Sequence, residues 1–256
     1  MRYVHTIIHK VLGQAVRDDL LARNPADAAT PPTAREAKSP EMTCWSAAQL
    51  AAFLGWSAQH SDHHALWHLL AYTGMRRGEA LSLRWRDFSL DEGTIRVRRS
   101  AGIVRYAGEG AEMVEDDTKT SKPRVIDTDP GTAAVLRAWK SGRGSLALRL
   151  VKPDALMFGD LEGSHRNGEH VWRQFTGDVR KCRKALGADA LPVIRVHDLR
   201  HTHATALLLA GVPVHVVAQR LGHASPVITL TTYAHVLPGN QREAAATFAA
   251  LIEGAA

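Results

Sequence analysis

The 256-residue chain contains two cysteines, Cys44 and Cys182, far apart and without C-x-x-C spacing. A disulfide framework and a cysteine-built zinc site are thereby excluded, and a reducing, cytoplasmic setting is expected. No run approaches the roughly 20 apolar residues that span a bilayer. The first residues, MRYVHTIIHKVLGQAV, lack both the apolar core and the small-residue cleavage site of an export signal. Internal repeats and low-complexity tracts are absent, and aromatic residues make up only 6%. Trp56, Trp67, Trp85 and Trp139 form no base-stacking pattern, so they are expected in cores or interfaces. Arginine is what the chain has in plenty. The net charge is +6, with basic clusters at Arg76 and Arg77, Arg84 and Arg86, and Arg96, Arg98 and Arg99. Such clustering favours a polyanionic partner.

Val4, Ile7, Ile8, Val11, Leu12 and Ala15 give residues 3–19 one dry helical face. A second short helix is expected to end near Arg23, and the prolines of TPPTAREAKSP, Thr30 to Pro40, mark a linker. Residues 1–29 are too few for a core of their own, so they must pack on something else or be the remnant of a longer domain. Beyond the linker, Ser46 with Gln49 reads as a capping box opening a helix to about Gln59. A helix over His63 to Tyr72 leads into the turn Thr73-Gly74. Residues 94–127, rich in Val, Ile, Thr and Arg, read as two or three antiparallel strands around an acidic loop, GEGAEMVEDD. Helices are expected over 131–141, 169–186, 197–210, 213–220 and 240–253, with Gly211 and Gly222 as stops. The fold class is therefore mainly α with one small antiparallel β-sheet. The last helix carries Ala245, Phe248, Leu251 and Ile252 on one stripe.

The segment VHDLRHTHATALLLAG gathers His197, Arg200, His201 and His203 at a helix start. His197 and His201, four apart, share a helix face, as zinc ligands do. However, Asp198 stands where H-E-x-x-H has glutamate, and no third ligand is specified. An arginine near the positive end of a helix dipole calls for an anion instead. The reading preferred here is an anion site without metal or cofactor.

Two further segments extend that reading. AYTGMRRGEALSLRW holds Thr73, Gly74, Arg76 and Glu79 in the pattern T-G-x-R-x-x-E, and His197 with Arg200 form H-x-x-R. QRLGHASPVITLTTYAHV holds Leu221, Gly222 and His223 as L-G-H, with Tyr233 ten residues on. Each pattern is weak alone. Four in this order resemble the phage-integrase family of tyrosine recombinases over residues 41–250, and identify its catalytic domain, the DNA breaking-rejoining fold.

The chemistry suits these residue types. A phosphodiester repels nucleophiles and redistributes charge onto its non-bridging oxygens when attacked. Arg76 and Arg200 would grip those oxygens through fixed donor forks. Tyr233 would be the nucleophile, and forming its phenolate at pH 7 costs roughly 4 kcal/mol without a proton acceptor. The resemblance implies His197 as that acceptor and His223 as a phosphate hydrogen-bond donor. It also implies a lysine from a β-hairpin turn that protonates the leaving sugar oxygen. DDTKTSKPRVIDTD offers Lys119 in the T-K-T position, with Lys122 as the second candidate. Glu79 reads as a carboxylate that orients a neighbour or caps a helix. For His201 and His203, packing or a supporting hydrogen bond stands beside phosphate contact.

The resemblance further implies double-stranded DNA bearing attachment sites as partner, four protomers on two duplexes, and a 3′-phosphotyrosyl intermediate. It divides the chain into a core-binding remnant (1–29), a linker (30–40) and a catalytic domain (41–256). Two rival functions are nicking and resealing of the type IB topoisomerase kind and a non-catalytic DNA-binding remnant of an integrase.

Overall fold

The computed structural model describes residues 2–33, 42–106, 110–117, 123–236 and 241–253. The chain divides into two compact units, Met1–Met42 and Thr43–Ala256. In the first, helix α1 (Arg2–Arg17) leaves Val4, Ile7, Ile8 and Val11 exposed. The expected short helix near Arg23 is replaced by a 3₁₀ turn at Pro25–Ala28. Asn24 caps that turn by accepting from the Ala26 amide, and Pro25 continues it because its missing N–H would be unpaired there anyway.

The second unit is mainly helical. Helix α2 (Ala47–His60) starts in the capping box read from the sequence: the Gln49 amide donates to Ser46 Oγ and the Ser46 amide to Gln49 Oε1. Helix α3 (His64–Thr73) is its central element, with Ala65 through Ala71 buried. An aromatic cluster packs around it, with Trp67 and Phe175 edge to face at 5.1 Å and Phe53 and Phe175 at 5.6 Å. Trp67 and Trp85 are buried, while Trp56 and Trp139 pack partly buried against the core. The buried indoles are satisfied: Trp67 donates to Asp178 Oδ2 at 2.9 Å and Trp85 to Leu150 O at 2.9 Å.

Gly74 ends α3 in the left-handed region (φ 62°), and the five-residue helix α4 (Arg77–Leu81) follows. The strands are β1 (Phe88–Ser89), β2 (Thr94–Val97), β3 (Arg99–Tyr106), β4 (Gly110–Asp117) and β5 (Arg124–Asp127). Among the described residues they form two antiparallel sheets and not one, β1-β2-β5 and β3-β4. Within the stretch read as an acidic loop, Gly110–Asp117 form strand β4. Its charge is tolerated because Glu115 accepts two hydrogen bonds from Arg84, at 2.6 and 3.0 Å, and pairs with Arg99 and His165. In the other sheet, Ile95 and Ile126 face each other in register, and both are buried.

The chain continues through α5 (Pro130–Leu146), α6 (Gly168–Leu186), α7 (Asp198–Leu209), α8 (Val214–Leu221), α9 (Pro226–Tyr233) and α10 (Gln241–Glu253). Helix α9 was not expected from the sequence. Among the described residues, no helix is long and apolar enough to cross a membrane.

Candidate functional site

The site is built on three turns. Arg76 stands just before α4, in extended backbone, after the Gly74 turn. Its amide and its Nη1 both donate to Glu79, to Oε2 and Oε1 at 2.8 Å each. Glu79 is only 1% exposed and also takes a two-pronged contact from Arg124 on β5, at 3.0 and 2.7 Å. Burial alone would raise the Glu79 carboxyl, but the Arg124 hydrogen bonds and the charges of Arg124 and Arg76 bring it below the usual carboxylate range. Glu79 is thus an ionised brace that aims Arg76, which keeps 26% of its side chain open to solvent.

Arg200 lies in the first turn of α7 and is 4% exposed. Its Nη1 donates to Gly74 O and Leu221 O, both at 2.8 Å. Its Nη2 is buried with no hydrogen-bond partner among the described residues. A buried, unpaired, charged donor costs a few kcal/mol, so its persistence points to an anionic ligand. Burial and neighbouring Arg76 lower Arg200 to about 10, still far enough above neutral pH to keep the guanidinium charged.

His223 follows Gly222, which closes α8 with φ 69°. Its Nδ1 shares a 2.7 Å hydrogen bond with Thr229 Oγ1, so the other ring nitrogen is the one open to a ligand. Desolvation first, then Arg200, Arg76 and Arg124, hold His223 down to about 4. The imidazole is neutral at pH 7 and can donate one N–H to a phosphate oxygen.

Tyr233 ends α9 and is 1% exposed. Its hydroxyl shares a 2.8 Å hydrogen bond with His201 Nδ1, so the phenol is joined to His201 where the family resemblance implied His197. His197 stacks edge to face on His201 at 5.1 Å, giving the row His197, His201, Tyr233. Although His197 remains exposed, desolvation at its ring, with His201 and Arg200 beside it, lowers it to about 4. Burial pushes Tyr233 up to about 12, with Arg200 opposing the shift. His203, by contrast, is buried and bonded through both ring nitrogens, Nδ1 to Ala71 O at 2.9 Å and Nε2 to Arg220 Nε at 3.1 Å, and so supports its neighbours.

The structure therefore brings Arg76, Arg200 and His223 to the end of α8, with Tyr233 reached through His201. Lys119 and Lys122 lie outside the described residues. Arg124 was missed by the sequence reading. The available signal was strand periodicity: Arg124 and Ile126 share the inward face of β5, and an inward arginine requires a carboxylate. Among the described residues, no three His, Cys, Asp or Glu side chains are placed to hold a metal ion.

Comparisons with known proteins bear on the family and the fold. Residues 45–239 match the sequence model of the phage integrase family. The chain is 28% identical over 186 residues to a XerC-like tyrosine recombinase of Caldanaerobacter subterraneus subsp. tengcongensis, covering 70% of this chain and 47% of that protein. It is 26% identical over 251 residues to the ICEBs1 integrase of Bacillus subtilis, covering 94% of this chain and 63% of that protein. The chain thus spans between about half and two thirds of the length of these relatives. The solved structure of the Tn1549 transposon integrase in complex with a circular intermediate DNA is similar with a TM-score of 0.77 at 21% identity, covering 97% of this chain and 78% of that one. The catalytic domain of bacteriophage HP1 integrase is similar with a TM-score of 0.53 at 20% identity, covering 82% of this chain and 97% of that one. At these identities the structural likeness establishes the fold.

Proposed function

The chain belongs to the phage integrase family, and from that premise we propose that it cuts and rejoins double-stranded DNA in site-specific recombination. The observation that carries the reading is Arg200, a buried guanidinium with an unpartnered Nη2, in a cluster with Arg76 and His223. Such a cluster suits a tetrahedral oxyanion. Arg76 and Arg200 hold the non-bridging oxygens, and His223 donates a further hydrogen bond.

Tyr233 Oη attacks phosphorus, the bond to the 5′-oxygen breaks, and a 3′-phosphotyrosyl ester forms. Burial pushes the phenol up to about 12, so ionising it at pH 7 costs about 7 kcal/mol, which disfavours attack as a free phenolate. The proton must leave as the bond forms, and His201 is the neutral acceptor in contact. His197, next in the row, is the acceptor or relay that the family resemblance implies. Lys119, with Lys122 as second candidate, protonates the departing 5′-oxygen. The ester retains the energy of the broken bond, so a 5′-hydroxyl from a second duplex reverses the step and completes exchange.

Exchange between two duplexes requires four active sites, and we assign it to a homotetramer on DNA. The exposed Phe248, Leu251 and Ile252 of α10 supply an apolar surface suited to a neighbouring protomer. Residues 1–29 are assigned to a core-binding domain, 30–40 to a linker and 41–256 to the catalytic domain.

A nicked duplex that traps the covalent intermediate tests the reading. The full chain should yield a protein–DNA adduct in a denaturing gel, with the DNA mapped to Tyr233, and Tyr233→Phe should bind DNA without forming it. An adduct that persists in Tyr233→Phe, or none from the unaltered chain, contradicts the proposal. Relaxation of supercoils without strand exchange would identify topoisomerase-like resealing.

A further inference from the structure

The cradle guanidiniums come from three elements yet end on one. Arg124 Nε donates to Arg220 O at 3.1 Å, Arg200 Nη1 to Leu221 O at 2.8 Å and Arg76 Nη2 to Gly222 O at 3.2 Å. These are consecutive carbonyls at the end of α8. The last carbonyls of a helix lack intrahelical partners and carry the negative end of its dipole, so they suit cations. Gly222 has φ 69°, which favours glycine, and a side chain there would put a Cβ 2.6 Å from Arg124 Nη1 and displace that guanidinium. The spacing of three guanidiniums is thus set by where the last turn of α8 sits.

That position is fixed by the Arg220 side chain. Nη2 donates to Tyr72 O at 2.9 Å near the end of α3, Nη1 to Asp127 O at 3.0 Å at the end of β5, and Nε to His203 Nε2 at 3.1 Å in α7. An arginine only donates, so His203 Nε2 must accept and the ring proton must sit on Nδ1, which donates to Ala71 O. His203 is therefore held as one neutral tautomer. Its seat also depends on Gly74, where a Cβ would come within 2.7 Å of His203 Cδ2.

We propose that Arg220 is a positioning residue for strand cleavage: tied to neutral His203 and to the ends of α3 and β5, it fixes the last turn of α8 and so spaces Arg76, Arg124 and Arg200 around the phosphate. The inference rests on the cleavage reading above and adds a residue outside the family patterns. If Arg220 were a phosphate contact, its removal would weaken binding and flatten the salt dependence, whereas removal of a positioning residue lowers the rate in the bound complex.

Single-turnover cleavage of the nicked duplex, with affinity measured separately, decides between them. At saturating full-length protein, Arg220→Ala should cleave about tenfold to a hundredfold more slowly, the loss expected from a slight misplacement of reacting groups. Its affinity should stay within about twofold, Arg220→Lys should recover part of the rate, and guanidinium ion should rescue Arg220→Ala where methylammonium does not. A rate for Arg220→Ala close to that of the unaltered chain, or a loss confined to affinity, overturns the proposal. If Arg220→Ala does not fold, Arg220→Lys and Arg220→Gln carry the same comparison. If the unaltered chain forms no adduct, the cleavage reading fails and ¹⁵N spectra of His203 decide the strut: an Nδ1–H tautomer that becomes mixed on substitution supports it, and identical spectra overturn it.

Discussion

Arg76 and Arg200 are held in place by a buried carboxylate and by carbonyls at the ends of two helices, whereas Tyr233 is tethered through one hydrogen bond to His201. The elements that carry them differ in the same way. Helix α3, behind the cradle, is buried along nearly its whole length, but α9 buries only Thr229 and Tyr233 and leaves Val227, Ile228 and Leu230 exposed. An eight-residue helix is marginal by itself. The contrast separates a preorganised cradle from a tyrosine, the proposed nucleophile, on a helix that buries little else. Catalytic electrostatics demand the first, since donors aimed in advance need no reorganisation. Control over a reactive group is served by the second.

The largest break in this comparison comes on the cradle side. Arg200→Ala should lower adduct formation about a thousandfold or more, while DNA affinity falls only severalfold, because one phosphate contact is a small share of binding. Gel quantification of adduct against a filter-binding isotherm checks it. Next is the brace. Glu79→Gln leaves Arg76 and Arg124 without their shared carboxylate and should cost about 3 kcal/mol of stability, read as a lowered denaturation midpoint in urea.

Acid should act on the histidines before the carboxylates. His197, His203 and His223 are each lowered to about 4, so between the ordinary histidine range and pH 4 the unfolded chain binds more protons than the folded one. Their contribution is fully present above about pH 6.5 and is lost as pH falls towards 4, with buried His203 accounting for roughly 3 kcal/mol. Glu79, depressed below its usual range, adds a second loss only at lower pH. Urea midpoints measured from pH 7.5 to 4.5 should decline, and His203→Phe should flatten the decline. The smallest effect belongs to α9: Ser225→Ala removes the cap on the Val227 amide and should cost about 1 kcal/mol, visible as faster hydrogen exchange in that helix with the cradle unchanged.

The sequence reading succeeded where one element contains its own signal. The capping box at Ser46, the turn at Gly74, the glycine stop at Gly222 and the apolar spacing of α2, α6 and α7 are all local. Helix α9 escaped because PVITLTTY is rich in β-branched residues, although Ser225 followed by Pro226 was a usable start signal. Strand β4 escaped because the arginines and histidine that neutralise Glu115 come from distant segments. The residue types of the site were legible as a set. Their couplings were not: Arg124 meets Glu79 across 45 positions, and the choice of His201 over His197 as the partner of Tyr233 depends on where α9 docks.

Hydrogen–deuterium exchange of the full chain, free and bound to a nicked duplex, tests the division between a firmly held cradle and a weakly held α9 carrying the proposed nucleophile most directly. Amides of α9 should exchange quickly in the free protein and slow on binding, while those of α3, α7 and the end of α8 stay protected in both states. Protection of α9 equal to that of α3 in the free protein, or a cradle whose amides become ordered only when DNA binds, would contradict it.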